Sequence, residues 1–307
     1  MDPFLDLIRL LRPRAMLTAG IYATGQWGVS FRQRNDVLFC WVEAGACQLV
    51  RPHAEPLPLH SGDFVLIRTT APFTLTSDPS VDAEDSETIV ATTNDPVLRL
   101  DRGSGPPAVI RGGRFVFDTT NEELLTGLLP TLVHVAYDDT SSWRLQSLLK
   151  LNESESVQPG PGSDFILTRL VEVILVEILR QEALRVGREQ TGLLAGLGDS
   201  VTARALSAMH GDVAGNWTVA SLARRCNMSR STFAAHFRKV VGIGPIDYLL
   251  RWRMMLAKDE LRHGSRSIGE IALAIGFQSS SAFSTAFTKA VGCSPRKFLR
   301  EVTNVHL

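Results

Sequence analysis

The last third of the chain repeats itself, and that repeat restricts the possible folds more than any other feature of the sequence. Leu222-Ala223 recurs as Ile271-Ala272 at an offset of 49 residues. One residue is gained in the following turn. An offset of 50 then holds for Phe233/Phe283, Phe237/Phe287, Lys239/Lys289, Val241/Val291, Gly242/Gly292 and Pro245/Pro295. Each unit reads as a short helix, a turn and a second helix opened by a serine, Ser229 or Ser279, whose hydroxyl caps exposed backbone N–H groups. The spacing predicts core stripes of Phe233, Phe237 and Val240 in one unit and of Phe283, Phe287 and Ala290 in the other.

The opposite faces carry Arg230, Ser231, Ala235, Arg238 and Lys239, and then Ser280, Ser281, Ser284, Thr285, Thr288 and Lys289. Short side chains let a helix approach base edges closely, while Arg and Lys neutralise phosphates. An apparent long helix, Pro245–Arg262, joins the copies. A rigid connector of that kind suits two helices placed in successive major grooves of double-stranded DNA, about 34 Å apart. Net charge supports the same reading, although the whole chain sums to zero. Residues 1–198 hold 17 basic and 25 acidic residues, whereas residues 199–307 hold 15 basic and 7 acidic, a balance of +8. A polyanionic partner for the C-terminal part is expected.

The run Leu222-Ala223, Met228-Ser229, Phe233, Phe237-Arg238-Lys239, Gly242 and Pro245 continues with Arg253 and Ala257. It then gives Ile268, Ile271-Ala272, Gly276-Phe277, Phe283, Phe287, Gly292 and Pro295. Over about residues 200–301 this closely resembles the AraC/XylS family of transcription regulators. The resemblance implies base-reading positions at Ser231, Ala234 and Ala235 in the first unit, and at Ser280, Ser281, Ser284 and Thr285 in the second. Two alanines among the first set favour thymine methyls or DNA shape over hydrogen-bond patterns. The resemblance further implies operator half-sites at a promoter, a homodimer, and RNA polymerase as an additional partner.

Upstream the texture differs. Asp2, Pro3, Phe4, Leu7, Ile8 and Leu11 predict a short helix stopped by Pro13. Short runs rich in Val, Phe, Ile and Thr follow: Val37–Val42, Cys47–Val50, Phe64–Ile67, Phe73–Thr76, Thr88–Thr92 and Phe115–Phe117. Turn clusters separate them, which predicts a small β-barrel or sandwich. Residues 121–150 look helical, and Ser156–Ser163 is a break. Asp164 then opens an apolar helix to about Arg185, in which Leu167, Val171, Ile174 and Ile178 form a candidate dimer seam; packing of this helix on its own barrel is the alternative. The expected fold class is α+β. Residues 1–186 form a cupin-like barrel with flanking helices for effector sensing and dimerisation, 187–199 a glycine-bearing linker, and 200–307 an all-α domain of two helix-turn-helix units joined by a long helix.

Leu57–Ile67, with its Gly62-Asp63 turn, resembles a cupin barrel, and the opening helix and Trp27 region resemble the N-terminal domain of one AraC-type subgroup. The resemblance implies a small effector or a chemical stress as the signal. A metal-dependent enzyme is not expected, because His53 and His60 do not form an H-x-H pair and no further histidine follows near Ala71-Pro72-Phe73. No cofactor or metal is expected. Trp27, Phe31, Arg34, Trp41 and His53 are candidate effector-pocket residues, a mixture suited to an organic anion. Cys40 and Cys47 approach disulfide range if their two runs form one hairpin, although buried cysteine as a small hydrophobe is the commoner state. Cys226 and Cys293 read as core. No C-x-x-C pair occurs, the N-terminus lacks a signal-peptide pattern, and no run reaches the roughly 18 apolar residues of a membrane span. A cytoplasmic location is expected. A second reading makes the N-terminal domain a dimerisation or protein-docking module without a small ligand. The effector, the operator sequence and the direction of regulation are not written in these residues.

Overall fold

Alternation of buried and half-buried residues turns the middle of the chain into strands, as in Val37–Ala44 and Leu132–Val135. The computed structural model describes residues 2–34, 36–93, 97–117, 131–137, 143–185 and 191–304. Among them are α1 (Pro3–Leu11), β1 (Arg14–Gly25), β2 (Gly28–Phe31), β3 (Val37–Ala44), β4 (Ala46–Val50), β5 (Leu57–His60), β6 (Phe64–Arg68), β7 (Phe73–Thr76) and β8 (Glu84–Asp85). Then come α2 (Ser86–Thr93), β9 (Val97–Arg102), β10 (Ala108–Val116), β11 (Leu132–Val135), α3 (Trp143–Val157) and α4 (Ser163–Arg185). The remainder is helical: α5 (Leu193–Gly198), α6 (Ser200–Gly211), α7 (Val219–Arg225), α8 (Arg230–Val241), α9 (Pro245–His263), α10 (Ile268–Ala274), α11 (Ser280–Val291) and α12 (Pro295–Asn304).

Contacts divide these elements into two compact units. One holds the strands, α2, α3 and α4 as far as Ile178. The other holds α1, the end of α4 and every later helix. The strand unit contains a six-stranded sheet, ordered β11-β6-β3-β10-β1-β9, and a five-stranded sheet, ordered β5-β4-β7-β2-β8. Apolar side chains from both sheets, among them Ile21, Val29, Leu49, Val65, Leu75 and Ile110, form one core. The expected mixed α+β class with a β-rich N-terminal part and a helical C-terminal part is what the chain adopts.

Gly62-Asp63 makes the turn between β5 and β6. Gly62 has φ +90°, and a Cβ there would meet the Tyr137 ring at 2.3 Å, so only glycine fits. Asp63 is buried and accepts from the backbone N–H groups of His60 and Tyr137 at 3.0 and 2.9 Å and contacts His134 Nε2 at 3.1 Å. Burial pushes its carboxyl up, but these bonds outweigh burial and hold it below the usual carboxylate value.

Three local expectations need correction. Thr88–Thr92, rich in β-branched residues, lies in helix α2 instead of a strand. Asp85 Oδ1 accepts from the N–H groups of Glu87 and Thr88 at 2.9 and 3.2 Å, which favours a helical start over an extended one. Ser86 and Ile89 are the buried pair at helical spacing. The helical span expected over 121–150 contains strand β11 and becomes helical at Trp143; residues 118–130 and 138–142 lie outside the described residues. The glycine-bearing 187–199 segment contains helix α5, whose Leu193, Leu194 and Ala195 are buried.

The opening helix is capped as expected. Asp2 accepts from Phe4 N, and Pro3 takes the first position. It packs within the helical unit, against α6 and α9. Arg12 pairs with Asp259 at 3.0 Å, and Asp6 Oδ2 lies 3.2 Å from Nδ1 of buried His210. His210 Nε2 is 2.7 Å from the Tyr248 hydroxyl. Burial lowers the pKa of His210, against the opposing pull of Asp6, and burial raises that of Tyr248. The pair is therefore neutral, with Tyr248 donating to Nε2 and Nδ1–H donating to Asp6.

Candidate nucleic-acid interface and interior cavity

The two repeat units use the same local devices. A capping box opens the first helix of each: Thr218 with Ser221 at α7, and Ser267 with Glu270 at α10. Ser229 then caps α8 through Thr232 N, and Ser279 caps α11 through Ala282 N. Glycines at φ +88° and +85°, Gly242 and Gly292, end these helices, and Pro245 and Pro295 start the next ones. The buried stripe is centred on Phe237 in α8, with Phe233 and Val241 one turn to either side. Val240 is only half-buried. In α11 the stripe runs Phe283, Phe287 and half-buried Val291, and Ala290 is exposed. The third core position therefore falls one residue later than the expected Val240 and Ala290.

Helix α9 spans 19 residues, about 28 Å at about 1.5 Å per residue. It gives Tyr248 and Trp252 to the first unit and Met254, Ala257 and Leu261 to the core of the second. Its Arg253 Nε and Nη2 donate to Val213 O at 2.9 and 2.7 Å, and Nη2 also donates to Gly215 O at 2.9 Å. Gly276, in the turn of the second unit, has φ +87° and lies against this clamp. Arg253 thus ties the connector to the loop ahead of the first unit, with the turn of the second packed against them. The sequence offered Arg253 only as part of a motif.

Of the residues expected to face DNA, Arg230, Ser231, Ala235, Arg238 and Lys239 are exposed on α8, with Ala234 half-buried. On α11, Ser280, Ser281, Thr285 and Lys289 are exposed and Ser284 is half-buried. Their hydroxyls are not equivalent. Ser281 Oγ shares a hydrogen bond with the cap Ser279 at 3.0 Å, and Thr285 Oγ1 donates to Ser281 O at 3.1 Å. Ser280 and Ser284 make no side-chain hydrogen bond among the described residues, so both hydroxyls are free to bond elsewhere. Exposed Arg224 and Arg225, in the last turn of α7, add positive charge that the spacing argument passed over.

In the strand unit, a cavity of about 560 Å³ opens between the sheets. Phe31 and Phe73 stack in its wall, centroids 4.6 Å apart, and α2 contributes Ser86, Glu87, Val90 and Ala91. Of the expected pocket residues, Phe31 and Arg34 line this cavity and three do not. Trp27 is buried in the core. Trp41 lines a second, smaller pocket of about 340 Å³ beside Asp164 and Leu167 of α4. His53 is exposed in a turn at φ 57°. These are corrections: for Trp41 the cause is strand register, which composition does not give and which decides the face a side chain takes; Trp27 and His53 lie between strands.

Cys40 and Cys47 do not share a hairpin. Cys40 lies in β3, paired to β6 and β10, while Cys47 lies in β4, paired to β5 and β7. Burial pushes the Cys40 thiol up to about 12 and raises Cys47 as well, so both are held as thiols. Cys226 is core, and its thiol donates to Val201 O at 3.4 Å. Cys293 is half-buried. The dimer seam also needs correction: Leu167, Val171, Ile174 and Ile178 are buried within their own chain. Among the described side chains of α4, the exposed apolar ones are Phe165, Ile166 and Val173. No group of three metal-ligating side chains occurs among the described residues. No described helix is long and apolar enough to cross a membrane.

Two capped helix-turn-helix units on one connector, together with a separate two-sheet unit, define a class: two-part DNA-binding regulators. Comparison with known proteins makes this specific. Residues 2–183 match a family model described as a cupin, and residues 222–301 match one described as a helix-turn-helix domain. An AraC-like transcription regulator of Streptomyces lividans is 38% identical over 304 residues, covering 99% of each chain. The transcriptional activator RclR of Escherichia coli, described as specific for RCS, is 25% identical over 306 residues, 98% of each chain. Among solved structures, the DNA-binding domain of AdpA in complex with a target DNA is 29% identical. It covers 34% of this chain and 92% of its own, with a TM-score of 0.32. The chain belongs to the AraC-like transcription regulators: it is a DNA-binding regulator of transcription and not an enzyme.

Proposed function

We propose that the strand unit binds a small effector, and that its occupancy alters how the helix-turn-helix units engage operator half-sites. The observation that carries this reading is the cavity of about 560 Å³, within the usual range of about 300–1,000 Å³ for small-molecule sites. It lies in the unit that lacks the DNA-reading helices. The proposed functional division is that residues 1–186 sense and dimerise, 187–199 connect, and 200–307 hold DNA, with α1 packed in the helical unit. A cytoplasmic protein with promoter DNA and RNA polymerase as partners fits this role. The test is full-length protein on an operator fragment, followed by fluorescence anisotropy across a metabolite set. A compound that shifts both the thermal midpoint and the DNA affinity supports the proposal. If compounds that stabilise the protein leave its DNA affinity unchanged, the effector role is refuted.

Dimerisation is proposed through the exposed side of α4. Phe165 is 66% exposed there, with Ile166 and Val173 beside it in sequence and helical spacing, an apolar set unusual on a solvated helix. Sedimentation of Phe165→Glu/Val173→Glu against the natural chain tests it; an unchanged dimer, or a natural chain that is monomeric, removes the assignment. Within the DNA-binding unit, we propose that α8 supplies more of the grip and α11 more of the hydrogen-bond discrimination, because α8 carries Arg230, Arg238 and Lys239 while α11 carries the free hydroxyls.

A further inference from the structure

We propose that the ligand of the interior cavity is an apolar monocarboxylate whose head is held by Arg114. This rests on the effector reading above and gives it a chemical class. The cavity wall is graded in polarity. Its apolar lining, including Leu49, Val65, Ile67, Leu75, Leu98 and Ile110, is buried in the core. Its charged lining is Arg32, Arg34, Asp36, Glu87 and Arg114, each exposed or half-buried, which sets the charges at the mouth. A ligand must therefore place an apolar body inside and any charged end outward.

The cations at the mouth differ in what already holds them. Arg32 pairs with Asp85 at 2.7 Å and with Glu87 at 3.1 Å, and Arg34 also pairs with Glu87. These pairs fasten the start of α2 beside the opening, where exposed Val90 joins the cavity lining. Arg114 has no ion-pair partner among the described residues. It stands on β10 two residues beyond Gly112 and four beyond Ile110, which also line the cavity, as the two-residue period of a strand requires. A planar guanidinium with its donors unused is matched by a carboxylate, which it can hold through two parallel hydrogen bonds. Gly112 keeps the strand bare beneath it: a Cβ there would lie 2.6 Å from Phe39 O.

Asp36 also lies in the lining with no ion pair among the described residues, so a cationic head is the competing chemistry. Guanidinium groups outnumber carboxylates in the lining, three to two, which favours the anion. The test uses the full chain and three probes of equal length: octanoate, octan-1-ol and octylamine, each titrated by calorimetry. Octanoate is expected to bind about tenfold more tightly than the alcohol, equivalent to about 1.4 kcal/mol. Arg114→Gln should abolish that preference and leave the alcohol's affinity unchanged, while Arg114→Lys should keep part of it. Arg114 is exposed, and an unchanged thermal midpoint certifies both variants as folded. If the alcohol or the amine binds as well as octanoate, or if Arg114→Gln retains the preference, the carboxylate assignment is overturned while a ligand-binding cavity stands. If none of the three binds, the carboxylate assignment is overturned, and the effector reading is decided by the metabolite screen above.

Discussion

Replacing Gly276 by alanine separates two physical costs that usually arrive together, because Gly292 provides a matched control. Both glycines lie in the left-handed region, at φ +87° and +85°. Alanine at either position meets the same backbone penalty, about 1–2 kcal/mol. Their surroundings differ. A Cβ at Gly292 meets nothing within 4 Å, whereas one at Gly276 lies 2.6 Å from Ala214 O and 2.7 Å from Arg253 Nη2. The first of these neighbours is backbone and cannot rotate away, so the second unit must shift against the loop ahead of the first. Overpacking of that kind adds about 1–3 kcal/mol. Gly292→Ala should thus lose about 1–2 kcal/mol and Gly276→Ala about 2–5 kcal/mol in all. At about 2–4 °C per kcal/mol, calorimetry should place the Gly276 variant several degrees below the Gly292 variant. Gly276→Ala should also weaken binding to an operator containing both half-sites more than binding to one half-site, since the second unit's turn packs against the loop that Arg253 clamps. Equal midpoints for the two variants would refute the crowding argument. Equal loss on one and two half-sites would refute the clamp.

The remaining predictions concern the interface and the buried histidine. Ser279→Ala should lower stability by about 1 kcal/mol through loss of the α11 cap. Ser280→Ala should leave the midpoint unchanged and alter base preference in a binding-site selection. Arg238→Ala/Lys239→Ala should weaken all DNA sequences alike and reduce the slope of log K against log salt by about 2, read by anisotropy at several salt concentrations. For His210, the folded pKa lies below the ordinary 6.5 because of burial, so the unfolded chain binds more protons in the window between the two values. The stability it supports is complete above about pH 6.5 and declines as pH falls toward the folded value. Urea melts from about pH 8 to about pH 5 should show that decline, and His210→Gln should flatten it.

Much of this was legible because the repeat is a local code. Caps, glycine stops, proline starts and phenylalanine spacing act within a few residues, so Ser229, Ser279, Gly242 and Pro295 fell where spacing placed them. Most of what escaped depended on long-range pairing, and one miss was a local cap. Trp41 lies on β3, where register turns it toward the pocket beside α4 instead of the larger cavity. Thr88–Thr92 has strand composition, but Asp85, three residues ahead of Thr88, caps it into a helix. The seam Leu167–Ile178 shows the same limit, since heptad spacing reports an apolar stripe without saying which surface covers it. Arg114 left one signal that spacing alone could have carried: the alternation Ile110, Gly112, Arg114 along a single strand face.

Helix α1 is made before the strand unit and buried after it. Its partner His210 lies 204 residues downstream of Asp6, beyond the entire strand unit. At about 5–20 residues per second, synthesis leaves Leu7, Leu10 and Leu11 without their native cover for about 10–40 s. The helical unit is therefore not a contiguous stretch of chain, and its assembly must wait for a segment already emerged. A fragment beginning at residue 187 would carry both helix-turn-helix units but lack that cover, leaving His210 Nδ1–H without its carboxylate.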